Sequence, residues 1–139
     1  MLTGQYSHSL DAKGRVNFPA RLREELGERF VITRGLDSCL FVYSMEEWKL
    51  LADKLHQLPI SKSAALSRFF FAGAAEVEPD KQGRVLLPAH LREYAGLERD
   101  VVIAGVSNGA EIWDSARWEQ QNQPLTAEAV AGAMDALGF

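Results

Sequence analysis

Apolar and polar residues alternate at the start of the chain. Leu2, Gly4, Tyr6, His8 and Leu10 take one side, and Thr3, Gln5, Ser7 and Ser9 the other. A period of two predicts a half-buried strand, with His8 facing inward as a core histidine. Residues 11–14 interrupt the pattern with Asp first and Gly fourth, the chemistry of a type I turn. Alternation resumes over Arg15–Phe18: Val16 and Phe18 share one side, which leaves Arg15 and Asn17 on the other. Pro19 suits the first position of a helix, where a missing N–H costs nothing. Leu22 and Leu26 give that helix its apolar face, and Gly27 suits its C-terminal cap. Phe30-Val31-Ile32 and Leu40-Phe41-Val42-Tyr43 predict two further strands around a turn at Gly35–Ser38.

A helical period follows. Ser44 with Glu47 forms a capping box, ahead of Trp48, Leu51, Leu55 and Leu58 at helical spacing, and Pro59 ends the helix. A second helix, starting at Ser61 or Ser63, carries Ala65, Leu66, Phe69 and Phe70 toward Gly73. The run Phe69-Phe70-Phe71 is too apolar for one helix face and predicts a subunit interface or a deep core. From Ala75 the first plan returns. Ala75, Val77 and Pro79 lead into a turn at Asp80–Gly83, Val85 and Leu87 face inward, and Pro88–Ala95 is helical. Val101-Val102-Ile103 and Ala110–Trp113 are strands joined by a tight hairpin at Ser107-Asn108-Gly109. Asp114 caps a helix holding Trp118. The Ala-rich tail after Pro124, capped at Thr126 and carrying Val130, Met134 and Leu137, is marginal alone and docks or frays.

The return is a sequence repeat. Residues 11–24 and 80–93 align at an offset of 69 with nine of fourteen positions identical. The shared residues are Asp11/Asp80, Gly14/Gly83, Arg15/Arg84, Val16/Val85, Pro19/Pro88, Ala20/Ala89, Leu22/Leu91, Arg23/Arg92 and Glu24/Glu93. After Gly27 and Gly96 the offset becomes 70 and aligns Gly35 with Gly105, Tyr43 with Trp113 and Trp48 with Trp118. A repeat this long predicts one structural unit used twice. It divides the chain into a first repeat over 2–50, a helical connector over 51–70, a second repeat over 71–120 and a C-terminal helix or tail over 121–139.

Two copies of D-x-x-G-R-[VL]-x-x-P-x-x-x-R in a chain of this length resemble the MraZ family of bacterial regulators, whose units are similar to the AbrB-type DNA-binding domain. The resemblance implies a mainly β fold with helices (α+β), in which two swapped-hairpin repeats interleave into one pseudo-two-fold β-barrel with a helical pair between them. It also implies sequence-specific binding to double-stranded promoter DNA at direct repeats and a ring-like homo-oligomer. The implied targets are the bacterial cell-division and cell-wall gene cluster, including the protein's own promoter.

Composition sets limits around that reading. At 139 residues the chain suffices for one domain or two intertwined small ones. No apolar run approaches the ~20 residues of a membrane span, and the start lacks the basic and apolar regions of a signal peptide. A lone Cys39 forms no internal disulfide and fits a reducing cytoplasm. One Cys and three scattered His (His8, His56, His90) lack metal-ligand spacing, so no metal or other cofactor is expected. A net charge of −4 alone argues against nucleic acid. The distribution of that charge argues less strongly: residues 1–35 hold six basic and four acidic side chains, whereas residues 118–139 hold three acidic and no basic ones. An acidic protein can still present a basic face.

The candidate DNA contacts are Arg15 and Arg84, which leave a turn on a strand of a ribbon that fits a major groove, Arg being the usual bidentate partner of guanine. Asn17 shares the face of Arg15. Lys13 and Lys81 lie in the turns, within reach of phosphates, and Arg21 lies on the first short helix. Solvation of a hairpin tip would also explain such residues, but the repetition of Gly-Arg-Val favours function. His90 replaces Arg21 in the second copy and weakens its basic face. The structural motif comprises Asp11, Gly14, Pro19 and Arg23, with Asp80, Gly83, Pro88 and Arg92. Arg23 and Arg92 occupy matching positions, which favours one shared structural role over pairing with Glu24, Glu25 or Glu93.

Enzyme chemistry is not expected. Asp11 and Asp80 could share a proton as a dyad, but Asp with Gly three residues on is what a type I turn wants, and neither has an apolar setting. Cys39 has no paired His. No small-molecule substrate or membrane partner is implied. The expected function is a cytoplasmic, nucleoid-associated transcription regulator. The competing class is an oligomeric scaffold that binds no DNA, in which these Arg residues make subunit salt bridges.

Overall fold

The computed structural model describes residues 1–138. Its elements run β1 (Gln5–Ser9), β2 (Arg15–Asn17), α1 (Ala20–Leu26), β3 (Phe30–Arg34), β4 (Leu40–Ser44), α2 (Met45–His56), α3 (Ile60–Phe70), β5 (Ala75–Val77), β6 (Arg84–Leu86), α4 (Ala89–Ala95), β7 (Asp100–Gly105), β8 (Ala110–Asp114), α5 (Ser115–Asn122) and α6 (Ala127–Met134), with a closing 3₁₀ turn at Asp135–Leu137.

The two repeats exchange strands. In the six-stranded sheet, of order β1-β7-β8-β4-β3-β5, β1 of the first repeat pairs with β7 of the second, and β5 of the second pairs with β3 of the first. The hairpins β3–β4 and β7–β8 then meet along β4–β8 across the pseudo-two-fold. The remaining strands form a separate antiparallel ribbon, β2 with β6. The α+β class and the interleaving agree with the sequence. The ladder is not a closed barrel: it ends at β1 and β5, and β2 and β6 stand apart from it as the ribbon.

Interleaving follows from how little each half could bury alone. Val16, Phe18, Leu22 and Phe30 of the first repeat and Val85, Leu87, Leu91 and Ile103 of the second lie in one cluster. Fully burying a side chain such as Leu22 or Leu91 stabilises by about 1.5–3 kcal/mol. Thr33 is the buried polar residue among those described, and its Oγ1 donates to the Phe70 carbonyl at 2.5 Å.

Helix boundaries follow local chemistry with small departures. Pro19 and Pro88 stand one residue before their helices, with extended ψ of 131° and 146°. The Pro19 carbonyl accepts the first helical bonds from Leu22 and Arg23, both at 3.0 Å. Pro59 takes the same position before α3, so that helix starts at Ile60 rather than at a serine. Ser44, Asp114 and Thr126 each accept from the backbone N–H three residues on. The last carbonyls of α3 are satisfied by Arg34, whose Nε and Nη2 donate to Phe69 and Arg68 at 3.0 and 2.9 Å. A cation suits a helix C-terminus, and here it docks the connector on the sheet.

Phe69, Phe70 and Phe71 are half-buried, not a deep core. They pack on Tyr94, Phe41 and Trp48 respectively. Trp48 and Trp118 are packing residues, against Phe71 at 4.6 Å and Trp113 at 6.0 Å. His8 faces inward but is half-buried, since β1 is an edge strand. His90 Nε2 lies 3.1 Å from the Gly73 carbonyl. No helix of the described residues is long and apolar enough to cross a membrane.

Candidate nucleic-acid interface

The β2–β6 ribbon brings the two copies of the Gly-Arg-Val motif together. Its register sets Arg15 opposite Leu86, Val16 opposite Val85 and Asn17 opposite Arg84. Val16 and Val85 are buried, at 1% and 0% exposure. Alternation therefore turns Arg15, Asn17, Arg84 and Leu86 outward together. The ribbon is lengthened at both ends by Phe18 N–H donating to Gly83 and Leu87 N–H donating to Gly14, at 2.8 and 3.0 Å. The strands are antiparallel, so the turns at 11–14 and 80–83 lie at opposite ends. They place exposed Lys13 and Lys81 beyond each end of the face.

Each Arg is held by the Asp of its own turn. Asp11 Oδ1 accepts from the backbone N–H groups of Lys13 and Arg15 at 2.9 and 2.8 Å, and Asp11 Oδ2 accepts from Arg15 Nε at 2.7 Å. Asp80 repeats the pattern with Gln82, Arg84 and Arg84 Nε at 2.9, 2.9 and 2.8 Å. One carboxylate thus caps the turn and fixes the guanidinium. Among the described residues, the hydrogen bonds made by both guanidinium groups come from Nε. That leaves the paired terminal nitrogens outside these bonds, and these are the donors that match guanine O6 and N7.

The Arg15 and Arg84 backbone N–H groups hold the two carboxyls below their ordinary 3.8. Partial desolvation opposes this, and the guanidinium adds to it. A shared-proton dyad needs one carboxyl raised instead. Asp11 and Asp80 also sit at opposite ends of the ribbon, so the dyad has no geometric basis. Burial first, then Glu111 and Asp37, pushes the Cys39 thiol up to about 12. Its Sγ donates to the Leu36 carbonyl at 3.0 Å, and a protonated, buried thiol is no nucleophile. Among the described residues no group of His, Cys, Asp or Glu could hold a metal ion.

Arg23 and Arg92 lie behind the ribbon. Arg23 Nε donates to the Phe18 carbonyl at 2.9 Å, and Arg92 Nε to Leu87 at 3.0 Å. Each guanidinium also covers the turn glycine of the other repeat, Arg23 over Gly83 and Arg92 over Gly14. Arg21 lies on α1 rather than on the ribbon. It is exposed and lines a cleft with Met1, Thr3, Glu24 and Glu25.

Two features escaped sequence reasoning. The Asp–Arg tether was signalled by the four-residue Asp11–Arg15 and Asp80–Arg84 spacing, present in both copies. Leu86, 57% exposed on the ribbon's outer face, was signalled only by its alignment with Asn17.

The structure defines a class: a two-repeat, strand-exchanged protein that presents a ribbon with paired arginines. The family model described as "MraZ protein, putative antitoxin-like" matches residues 1–67 and 70–137. The chain is 56% identical over 143 aligned residues to the transcriptional regulator MraZ of Acetivibrio thermocellus, covering 100% of both chains. It is 55% identical to that of a Thermoanaerobacter species, again covering 100% of both. It is 57% identical over 125 residues to that of Natranaerobius thermophilus, covering 88% of this chain and 87% of the relative. The chain belongs to the MraZ family, and these relatives are named transcriptional regulators.

Proposed function

We propose that this protein is a sequence-specific regulator of transcription that binds double-stranded promoter DNA through the outer face of the β2–β6 ribbon. One observation carries the reading: Arg15, Asn17 and Arg84 converge on a single exposed face, with both guanidinium groups pre-oriented by Asp11 and Asp80. A two-stranded ribbon fits the major groove, and each bidentate Arg–guanine pair gives about 1–3 kcal/mol of discrimination. Lys13 and Lys81 extend the contact to phosphates, and Arg21 reaches the backbone from α1. Both guanidinium groups have partners within the chain, which supports this reading over a scaffold that uses them in subunit salt bridges.

The chain acts as a ring-like homo-oligomer on direct repeats, in the cytoplasm and on the nucleoid. Its targets are the cell-division and cell-wall gene cluster, including its own promoter, as the family resemblance implies. One ribbon offers few phosphate contacts on a chain of net charge −4, so single-site binding is weak and salt-dependent. A ring makes each later contact intramolecular and raises avidity by roughly 10²–10⁴. Subunits related by rotation face the same way, which calls for tandem sites in one orientation, spaced about 10–10.5 base pairs. The test is binding to duplexes with one, two or three direct repeats and to versions shifted by about half a turn. Affinity should climb with repeat number and collapse on the half-turn shift. Equal affinity for one and three repeats would sink the ring-and-array reading.

A further inference from the structure

The pseudo-two-fold of the ribbon is broken at one outward position. Arg15 and Arg84 are equivalent and so are Val16 and Val85, but Asn17 of the first copy corresponds to Leu86 of the second. Leu86 is not a core residue. It is 57% exposed on the face whose other members are Arg15, Asn17 and Arg84, while its chain neighbours Val85 and Leu87 are both buried at 0%. The fold thus satisfies its apolar demand with the inward positions and leaves an isobutyl group outside among polar readers.

From this we infer that Leu86 is a specificity-determining residue that reads the C5-methyl group of a thymine in the major groove, beside the base addressed by Arg15. The inference rests on the ribbon being the DNA-binding face. Four facts of chemistry and geometry carry it. Among base edges in the major groove, the thymine methyl is the apolar feature, and an apolar side chain is its matching reader. Leu86 stands directly opposite Arg15, about 5 Å away across the ribbon, which is close to one or two base-pair steps of roughly 3.4 Å. Asp11 holds Arg15 by Nε, which restrains the guanidinium at the end of the ribbon that also carries Leu86. Asn17, opposite Arg84, has the amide that pairs bidentately with adenine. The two ends of the ribbon therefore carry different readers, Arg with Leu at one and Arg with Asn at the other. A face of this kind reads a non-palindromic element, as an array of sites in one orientation requires.

The experiment uses the full-length protein. Preferred duplexes are selected from a random pool, and each thymine in the selected element is replaced in turn by deoxyuracil. That change removes the methyl and leaves base pairing intact. Wild type should lose about fourfold in affinity at one thymine, the worth of one buried methyl-sized group, and be indifferent at the others. Leu86→Ala should bind the thymine and uracil duplexes equally, with wild-type melting temperature and particle mass, as befits an exposed side chain. Leu86→Asn, which copies the first repeat, should move the preference at that position toward adenine. Uracil tolerated at every thymine by wild type, or Leu86→Ala as uracil-sensitive as wild type, overturns the inference and leaves the regulator reading standing. A changed particle mass for Leu86→Ala also overturns it, since the side chain then serves subunit contact. If the selection yields no preferred duplex, or Arg15→Ala selects the same one with equal affinity, the regulator reading falls and this inference with it.

Discussion

The guanidinium of Arg23 covers Gly83 of the opposite repeat: a Cβ at Gly83 would lie 2.9 Å from Arg23 Nη2. Arg92 covers Gly14 in the same way, with its Cζ 2.8 Å from where a Cβ would be. Both glycines also adopt positive φ, 81° and 85°. Each Arg bonds the carbonyl that follows its own ribbon strand and lies over the turn that precedes the other strand. The two arginines thus latch the turns of one repeat to the helices of the other.

Positive φ makes the turn glycines intolerant of any side chain, whatever space the latch leaves. Gly83→Ala should destabilise the protein by about 1–3 kcal/mol, the range for a non-glycine residue held at positive φ. Gly14→Ala should cost a similar amount. Arg23→Ala should not rescue Gly83→Ala, because the backbone strain persists after the contact is gone. Denaturant midpoints of the three single variants and the Arg23/Gly83 double variant check this. Full rescue would assign the penalty to crowding instead.

Arg15→Ala should remove sequence preference while keeping fold and assembly. Its side chain is about one-third exposed, and truncating it leaves Val16 and the ribbon hydrogen bonds in place. The expected loss is about 1–3 kcal/mol per engaged subunit, read as operator affinity against affinity for random duplex. Arg84→Ala should show a comparable loss, since its tether to Asp80 repeats that of Arg15. Melting temperature and particle mass should match wild type.

The tethering aspartates predict an acid dependence. Folding lowers the Asp11 and Asp80 carboxyls from their ordinary 3.8, so the unfolded chain binds protons more readily than the folded one. Their contribution is fully present above the unfolded value and is lost as pH falls through the lower folded value. Thermal melts should decline below about pH 4, and the Asp11→Asn/Asp80→Asn double variant should decline less steeply. At neutral pH that variant keeps the amide oxygens as turn caps but frees the guanidinium groups. The ratio of specific to non-specific DNA affinity should then fall even as affinity for random duplex holds or rises. An unchanged ratio would remove the orienting role of Asp11 and Asp80.

The halves should not fold apart. A fragment of residues 1–72 keeps β1 and β3 but loses β7 and β5, their partners, and it loses β6 from the ribbon. It should be unfolded, aggregated or rescued only as a homodimer in which a second copy supplies the missing strands. Circular dichroism with sedimentation decides the matter, and a stable monomer of native-like spectrum would contradict the strand exchange.

Most of the local structure was legible in the sequence because it is decided within a few residues. The Asp11–Gly14 and Asp80–Gly83 turns, the inward Val16 and Val85, the outward Arg15 and Asn17 and the caps at Ser44, Asp114 and Thr126 all follow from turn chemistry and a period of two. The repeat made one unit used twice expected, and the family resemblance implied that the two interleave. Tertiary structure alone decided which strand meets which. Repeats with the same apolar pattern satisfy their alternation equally well within a copy or between copies, so the pattern is silent on whether β2 seeks β1 or β6. Burial of both valines against one shared core, with each turn latched by the other repeat's arginine, selects β6. The six-stranded sheet stays open at β1 and β5 in place of a closed barrel. The same choice of partner puts Leu86 across from Arg15, 71 positions away by sequence number. Register between distant strands is set by the sum of what they bury, and no stretch of the chain contains that sum by itself.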